Sequence, residues 1–245
     1  MKADDITTDS ILGGRVALRQ PKRGYRVNVD SLLLAAFAAE GRCASVVVDL
    51  GSGVGALGLV LVEVGAARSA ALLDAEPAFV ALASENLASN GVRGAAYSCD
   101  LGRQRLPAEL VGQSELVVSN PPFFPPARGT PPRHAGARRA RSGPLEPFLR
   151  AAQSALSGPR ARASFCYPAA TLAELLSAAE RAGLVPKRLR LVHARSESSA
   201  RLALVELRRA KPGGLLVLPP LVEWNGRVRS REVEDIVAGR FGPGR

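Results

Sequence analysis

Four consecutive residues, Asn120, Pro121, Pro122 and Phe123, are suited to holding a planar amino group. They follow a short apolar run at 114–119, which is typical of a buried strand. A residue before proline is driven into an extended conformation, and two prolines fix the next φ angles without donating an N–H. The strand end should therefore present oxygen acceptors for both hydrogens of an –NH2 group, and Phe123 could stack on the attached ring. The alternative is an ordinary proline-rich turn after a strand.

A glycine-rich turn follows the apolar strand predicted at 45–50. Gly51, Gly53 and Gly55 let the chain turn sharply and let a ligand approach the backbone beside the start of the next helix. Residues 53–58 also match the G-x-G-x-x-G pattern of dinucleotide sites, although such turns serve many ligands. Asp49 argues against a bound pyrophosphate, because its carboxylate repels phosphates and suits the ammonium group of an amino acid.

Acidic residues end three successive predicted strands: Asp49, Asp74 and Asp100. Asp74 could accept hydrogen bonds from ribose hydroxyls, and Asp100 could accept one from an adenine amino group. Asp30 lies near the start of an apolar helix predicted over 28–39, where it either caps the helix or faces a cofactor. Each acid alone is usually a cap or a surface residue, but three in register predict a binding edge of the sheet.

The chain of 245 residues has a formal net charge of +11, which favours a polyanionic partner such as nucleic acid. Only four of the basic residues are lysines, so an arginine bias from a GC-rich genome is the alternative. No apolar run is long enough to span a membrane, and no signal-peptide core begins the chain, which predicts a cytoplasmic protein. The three cysteines show no metal-ligand spacing, so we expect no metal.

The segment 125–144 after the tetrapeptide is rich in arginine, proline and glycine and contains no acidic residue. It is either a phosphate-gripping lid over the active site or a solvated surface loop. Under the first interpretation its nucleic-acid-binding residues are Arg128, Arg133, Arg138, Arg139 and Arg141.

Strand and helix patterns alternate along the chain, which predicts an α/β fold. We expect a doubly wound, mostly parallel seven-stranded sheet whose last strand is antiparallel. Residues 1–245 are expected to form one domain, with 1–40 as an N-terminal extension made of a hairpin and a helix. The pattern leaves the oligomeric state open.

Several of these motifs carry a family resemblance. Residues 49–55, Asp74 and the tetrapeptide 120–123 resemble the motifs of class I S-adenosylmethionine-dependent methyltransferases that modify amino nitrogens. Residues 23–26, 30–35 and 211–221 resemble the family that makes N6-methyladenosine beside the anticodon of valine tRNA.

The resemblance implies a Rossmann-like fold, S-adenosylmethionine as cofactor and tRNA as substrate. It implies that an adenine is turned out of its stack against Phe123, while Asn120 and the Pro121 carbonyl accept its amino hydrogens. The methyl group would then be transferred directly, without a metal. Two alternatives remain open: a protein glutamine N5-methyltransferase and a non-catalytic RNA-binding relative. Only about 45 residues precede the first sheet strand, which is few for the helical domain of the first alternative.

Overall fold

The computed structural model describes residues 5–23, 26–121 and 145–243. Its helices are α1 (Val29–Ala39), α2 (Ala56–Glu63), α3 (Pro77–Ser89), α4 (Glu146–Ala155), α5 (Leu172–Arg181) and α6 (Arg231–Val237). Its longer strands are β1 (Ile6–Ile11), β2 (Val16–Pro21), β3 (Val47–Leu50), β4 (Ala70–Asp74), β5 (Gly94–Ser98), β6 (Leu116–Ser119), β7 (Arg162–Pro168), β8 (Val185–His193) and β9 (Ala200–Arg208). Four two-residue strands follow: β10 (Leu216–Val217), β11 (Leu221–Val222), β12 (Trp224–Asn225) and β13 (Val228–Arg229).

A nine-stranded sheet forms the centre of the molecule, in the order β10-β8-β9-β7-β6-β3-β4-β5, with β11 also paired to β8. Strand β9 is antiparallel to β7 and to β8, and the other strand pairs of this sheet are parallel. The predicted doubly wound sheet is therefore confirmed, and the last of its seven long strands is antiparallel as expected. The two additional strands, β10 and β11, are too short to give a periodic signal, and glycines and prolines flank them.

The apolar strand residues divide between two cores, one on each face of the sheet. Val47 of β3 packs in the core that contains α1, α2, α3 and α6, whereas the next residue, Val48, packs in the core that contains α4 and α5. This alternation follows from the two-residue period of a strand. Both faces are covered by helices, which explains why the central strands are nearly continuous apolar runs.

The N-terminal hairpin of β1 and β2 packs against the same core as α1. Its turn contains Gly13 and Gly14, which have positive φ angles of 65° and 98°. Asn86 of α3 is fully buried; its side chain accepts from the Arg19 N–H and donates to the Arg19 and Val54 carbonyls. Asn86 thus joins α3 both to the hairpin and to the turn before α2.

The sequence predicted no membrane-spanning segment, and the helices can be compared with that expectation. Among the described helices, none is long and apolar enough to cross a membrane.

Candidate active site

The glycine turn between β3 and α2 depends on residues without a side chain. Gly51, Gly53 and Gly55 all have positive φ angles, of 72°, 55° and 88°. A Cβ atom on Gly51 would lie 2.9 Å from the ring of Phe148, and one on Gly55 would lie 2.5 Å from Leu72 Cδ1. Since L side chains are strained at all three φ angles, and the space beside Gly51 and Gly55 is also tight, this turn favours glycine.

Asp49, near the end of β3, lies beneath this turn and is only 1% exposed. Its Oδ2 accepts a hydrogen bond from the Gly58 N–H at 3.0 Å. Burial raises the pKa of Asp49 to about 7, the Gly58 hydrogen bond opposes that rise, and the neighbouring charge of Asp74 adds to it. A nearby cation would favour the ionised form of this carboxyl. The predicted contact of Asp49 with an ammonium group stays a prediction.

Asp74, the last residue of β4, joins the glycine turn to the strand end. Its Oδ2 accepts from the Gly53 N–H at 2.8 Å, and its Oδ1 accepts from the Glu76 N–H at 2.9 Å. Burial raises the pKa of this carboxyl, although both backbone hydrogen bonds act in the opposite direction. Each carboxylate oxygen has a second lone pair. Asp74 can therefore order the turn and still accept from ribose hydroxyls, the role predicted for it.

Asp100 lies two residues beyond the end of β5, rather than at the strand end itself. Its Oδ1 accepts from the Gly102 N–H at 2.9 Å, and its Oδ2 lies 3.5 Å from the exposed Arg103 guanidinium. The Cys99 N–H donates to the Asp74 carbonyl, which keeps this turn beside the end of β4. The predicted contact with an adenine amino group stays a prediction.

Asn120 follows β6 directly, so it lies next to the end of β3. The Ser119 hydroxyl donates to the Leu50 carbonyl at 2.8 Å, which joins the two strand ends. The Asn120 Nδ2 donates to the Ser31 hydroxyl at 3.4 Å, while its Oδ1 is buried and has no hydrogen-bond partner in the described part of the chain. An unpaired buried acceptor costs about 1–3 kcal/mol, so this oxygen is suited to a ligand N–H.

Several predicted site residues cannot be placed. Pro121 is described and buried. The rest of the tetrapeptide and the predicted nucleic-acid-binding residues lie outside the described residues: Pro122, Phe123, Arg128, Arg133, Arg138, Arg139 and Arg141.

Asp30, in the first turn of α1, has both carboxylate oxygens engaged. Its Oδ1 lies 2.7 Å from the Arg201 guanidinium, and its Oδ2 accepts from the Asn28 side chain at 3.2 Å. Asn28 holds the N-cap position, but its side chain does not bond to the helix backbone. Asp30 thus reaches the site through its neighbour Ser31, and a direct contact with a cofactor stays a prediction.

Arg201 connects α1 with the chain after β11, and sequence reasoning missed it. Besides Asp30, its guanidinium contacts both carboxylate oxygens of Glu223, at 2.5 and 2.6 Å. Burial lowers the pKa of Arg201, but the hydrogen bonds to Glu223 and Asp30 outweigh that effect and raise it. Ser31 and Ser52 were also missed; the Ser52 hydroxyl is buried in the glycine turn without a partner in the described structure. No spacing in the sequence marks these contacts.

The described candidates meet at one place in the fold. Strand β3 is the first of the parallel strands, and the next two lie on one side of it while β6 lies on the other. Open α/β sheets bind ligands in the crevice where the strand order reverses in this way. Asn120 and the glycine turn lie on the two sides of that crevice, with Asp49 and Asp74 beside them.

A doubly wound sheet with an ordered glycine turn, an acid on the second strand and an Asn-Pro pair at the crevice is the architecture of Rossmann-like methyltransferases. The chain belongs to the methyltransferase small domain family, whose model matches residues 28–156. That range includes every described candidate site residue.

Curated relatives and solved structures agree with this class. The tRNA1(Val) (adenine(37)-N6)-methyltransferase of Porphyromonas gingivalis ATCC 33277 is 28% identical over 220 residues, covering 84% of this chain and 83% of the relative. The enzyme of the same name from a Flavobacteriaceae bacterium is 28% identical over 115 residues, covering 45% of this chain and 46% of the relative.

The solved structures support the fold alone. A predicted O-methyltransferase from Agrobacterium tumefaciens superposes with a TM-score of 0.67 at 21% identity, covering 87% of this chain and 97% of that one. TYW2 of P. horikoshii, solved in complex with MeSAdo, superposes with a TM-score of 0.57 at 16% identity, covering 86% of this chain and 74% of that one.

Proposed function

We propose that this protein is an S-adenosylmethionine-dependent N-methyltransferase that methylates the exocyclic N6 of an adenine in tRNA, beside the anticodon. The observation that carries the proposal is the Oδ1 of Asn120 at the crevice between β3 and β6, which is buried and has no hydrogen-bond partner among the described residues. A substrate amino group would donate a hydrogen bond to this oxygen. It would then lie beside a methyl donor held by the glycine turn.

The residues at the crevice fit the proposed cofactor. Asp74 offers free lone pairs to ribose hydroxyls, and the turn of Gly51, Gly53 and Gly55 lets a ligand lie against the backbone. The unpaired Ser52 hydroxyl provides another polar contact. In this proposal Asp49 attracts the ammonium group of the cofactor, and Asp100 contacts the adenine of the cofactor. Asp30 acts through Ser31, and Asn120 lies between cofactor and substrate.

When bound, the cofactor supplies an electrophilic methyl group on a sulfonium. Asn120 Oδ1 accepts one amino hydrogen and the Pro121 carbonyl accepts the other, which directs the nitrogen lone pair toward that methyl. The amino nitrogen would take up the methyl group that the sulfonium would release, and the alkylated nitrogen, which is then acidic, would lose a proton to solvent. The contribution of the chain is mainly orientation, so no strong base is required.

The choice of RNA as substrate rests on two supports. The curated relatives with the best coverage are named as tRNA adenine methyltransferases, and the net charge of +11 suits a polyanion. We further propose that residues 1–245 act as one domain, since the N-terminal hairpin and α1 share a core with the sheet. A tRNA substrate would place the protein in the cytoplasm.

The function is tested by methylation of RNA with labelled cofactor. Total RNA from cells that lack the enzyme is incubated with purified protein, digested and separated into nucleosides. We expect label in N6-methyladenosine, and a valine tRNA transcript should be methylated at the adenine that follows the anticodon. Label in glutamine side chains of protein, with none in RNA, would instead support the glutamine methyltransferase alternative.

Asn120→Ala separates chemistry from binding. The side chain acts mainly in the transition state, so kcat should fall by roughly 100-fold, equivalent to about 2.7 kcal/mol, with a much smaller change in the Kd for RNA. Asn120→Asp keeps an acceptor oxygen and should retain more activity than Ala. Single-turnover kinetics and binding assays measure both effects; a wild-type rate for Asn120→Ala would mean that the tetrapeptide is only a turn.

A further inference from the structure

The C-terminal hairpin formed by β12 and β13 presents an aromatic and basic surface. Trp224 pairs with Arg229 and Asn225 with Val228, and Gly226 turns the chain with a φ of 63°. The Trp224 side chain remains 38% exposed and that of Val228 65% exposed. The Arg229 guanidinium lies over the indole ring, with its Cζ 5.6 Å from the ring centroid.

The arginines of this hairpin, and Arg231 at the start of α6, have no acidic partner in the described structure. Arg227, Arg229 and Arg231 are all exposed and form no ion pair there. The neighbouring acids Glu223 and Glu232 already pair with Arg201 and Arg190. The exposed Glu234 on α6 and Glu197 in the β8–β9 loop are too few to neutralise the surface. Its positive charge is therefore available to an anionic partner.

The hairpin lies at the same edge of the sheet as Asn120. Strand β11 runs parallel to β8, and its residues pair with the carboxyl end of that strand at Val192 and His193. The Trp224 N–H donates to the Ala194 carbonyl at 3.0 Å, which holds the start of the hairpin at that end. β8 runs in the same direction as β6, so both carboxyl ends lie at one edge.

A series of contacts also joins the hairpin to the crevice. Glu223, which precedes Trp224, binds Arg201, and Arg201 binds Asp30. The next residue, Ser31, accepts from Asn120. The hairpin is thus attached, through partly buried ion pairs, to the segment that contacts the candidate catalytic amide.

We propose that this hairpin is an RNA-binding surface, in which Trp224 stacks on an unpaired base and Arg227 and Arg229 contact the adjacent phosphates. An exposed aromatic ring beside arginines that have no ion pair within the described ranges has the chemistry of single-stranded RNA recognition. The proposal rests on the proposed function, because it names a further contact for the same RNA substrate.

Intrinsic fluorescence provides a direct test, because Trp224 is the only tryptophan of the chain. Titration of the wild-type protein with unmodified tRNA should quench its emission along the same curve as the anisotropy of labelled tRNA. Bound tRNA should also protect the indole from acrylamide. Unchanged emission and unchanged acrylamide access with tRNA bound would overturn the proposal.

Variants test the contacts separately. Trp224→Ala should raise the Kd for tRNA by about 5- to 100-fold, and Trp224→Phe should recover most of the affinity because the ring can still stack. The double variant Arg227→Ala with Arg229→Ala should reduce the slope of log K against log salt by about 1 to 2. The matched control is Arg68→Ala with Arg93→Ala, two exposed arginines before β4 and β5 at the opposite edge.

The outcomes separate this inference from the proposed function. If the wild-type protein methylates tRNA, and the hairpin variants bind tRNA as tightly as the control variant does, the hairpin inference alone is overturned. Loss of tRNA binding in these variants, with a wild-type protein that binds tRNA without methylating it, would support the hairpin and contradict the proposed function. Cofactor affinity, measured by calorimetry, should be the same in all variants.

Discussion

At the residue scale, Asp49 and Asp74 share one edge of the sheet but differ in exposure and in partners. Asp49 is enclosed beneath the glycine turn with a backbone N–H as its partner, whereas Asp74 is partly exposed and accepts from two backbone N–H groups. Burial raises the pKa of Asp49 to about 7, while Asp74 remains accessible to a ligand. Substitutions at the two positions should therefore have different consequences.

Asp74→Ala should weaken cofactor binding by about 1–3 kcal/mol, because ribose hydroxyl donors would lose their acceptor and the Gly53 N–H would lose the partner that orders the turn. Calorimetry of the cofactor with wild-type and variant protein measures the effect. Glu76→Ala is the control, since it removes an exposed carboxylate two residues away. Equal affinities for wild type and Asp74→Ala in a folded protein would exclude the ribose contact.

The raised pKa of Asp49 makes stability depend on pH. Because the folded pKa of about 7 lies above the value in the unfolded chain, the folded state holds a proton that the unfolded state has lost, and stability falls as pH rises from about 4 to about 7. Asp49→Asn has no such titration. Its free energy of unfolding relative to wild type should increase by on the order of 2 kcal/mol between pH 5 and pH 8.

Urea unfolding of the cofactor-free protein at both pH values measures this difference. Asp235→Asn is the control, because that carboxylate is a partly exposed partner of Arg240. A difference between Asp49→Asn and wild type that does not change with pH would mean that Asp49 is ionised throughout.

At the scale of elements, α1 is positioned by both packing and charge. Its apolar residues Leu33 and Leu34 are fully buried, and its first turn is fixed by the ion pair of Asp30 with Arg201 on β9. This turn places Ser31 next to Asn120. The helix therefore connects the antiparallel strand β9 to the crevice across β7, which separates β9 from β6 in the sheet order.

Arg201→Ala should destabilise the protein by about 2–3 kcal/mol, because the poorly exposed carboxylates of Asp30 and Glu223 lose their partner. The loss is reduced because Arg201 is itself one-third exposed. It should also lower kcat, since the first turn of α1 would no longer hold Ser31 in place. Chemical denaturation and methyl-transfer assays measure both quantities. Arg240→Ala, which breaks an exposed pair, should change stability by less than about 1 kcal/mol; an equal loss in both variants would contradict this account.

At the scale of the whole molecule, the net charge of +11 should govern the encounter with RNA. The arginines expected to grip phosphates in the segment 125–144 lie outside the described residues, so this interpretation stays a prediction. The exposed arginines of the β12–β13 hairpin would add to the same attraction at the edge of the sheet that contains the crevice.

Replacing Arg138, Arg139 and Arg141 together by Ala should reduce the slope of log K against log salt for tRNA by about 2 to 3. The reason is that fewer counterions are released on binding when phosphate contacts are lost. Cofactor affinity should not change. The matched control replaces Arg68, Arg93 and Arg160, three exposed arginines before β4, β5 and β7. If both triple variants show the same slope, the arginine excess reflects composition rather than a specific lid.

The sequence by itself determined the features that local chemistry encodes. The positive φ angles of the turn require glycine at 51, 53 and 55, and a buried parallel strand requires an apolar run, so both could be predicted from short segments. The alternation of these segments with helices was sufficient for the doubly wound sheet, and the same motifs carried the resemblance to methyltransferases.

Only the tertiary structure decided which side chains meet. Asn120 contacts Ser31, 89 residues away, and Arg201 contacts Asp30, 171 residues away. The burial of Asp49 and the engagement of both oxygens of Asp30 follow from the same packing. Such contacts depend on how distant segments are brought together across the sheet, and no periodicity or spacing along the chain records that distance.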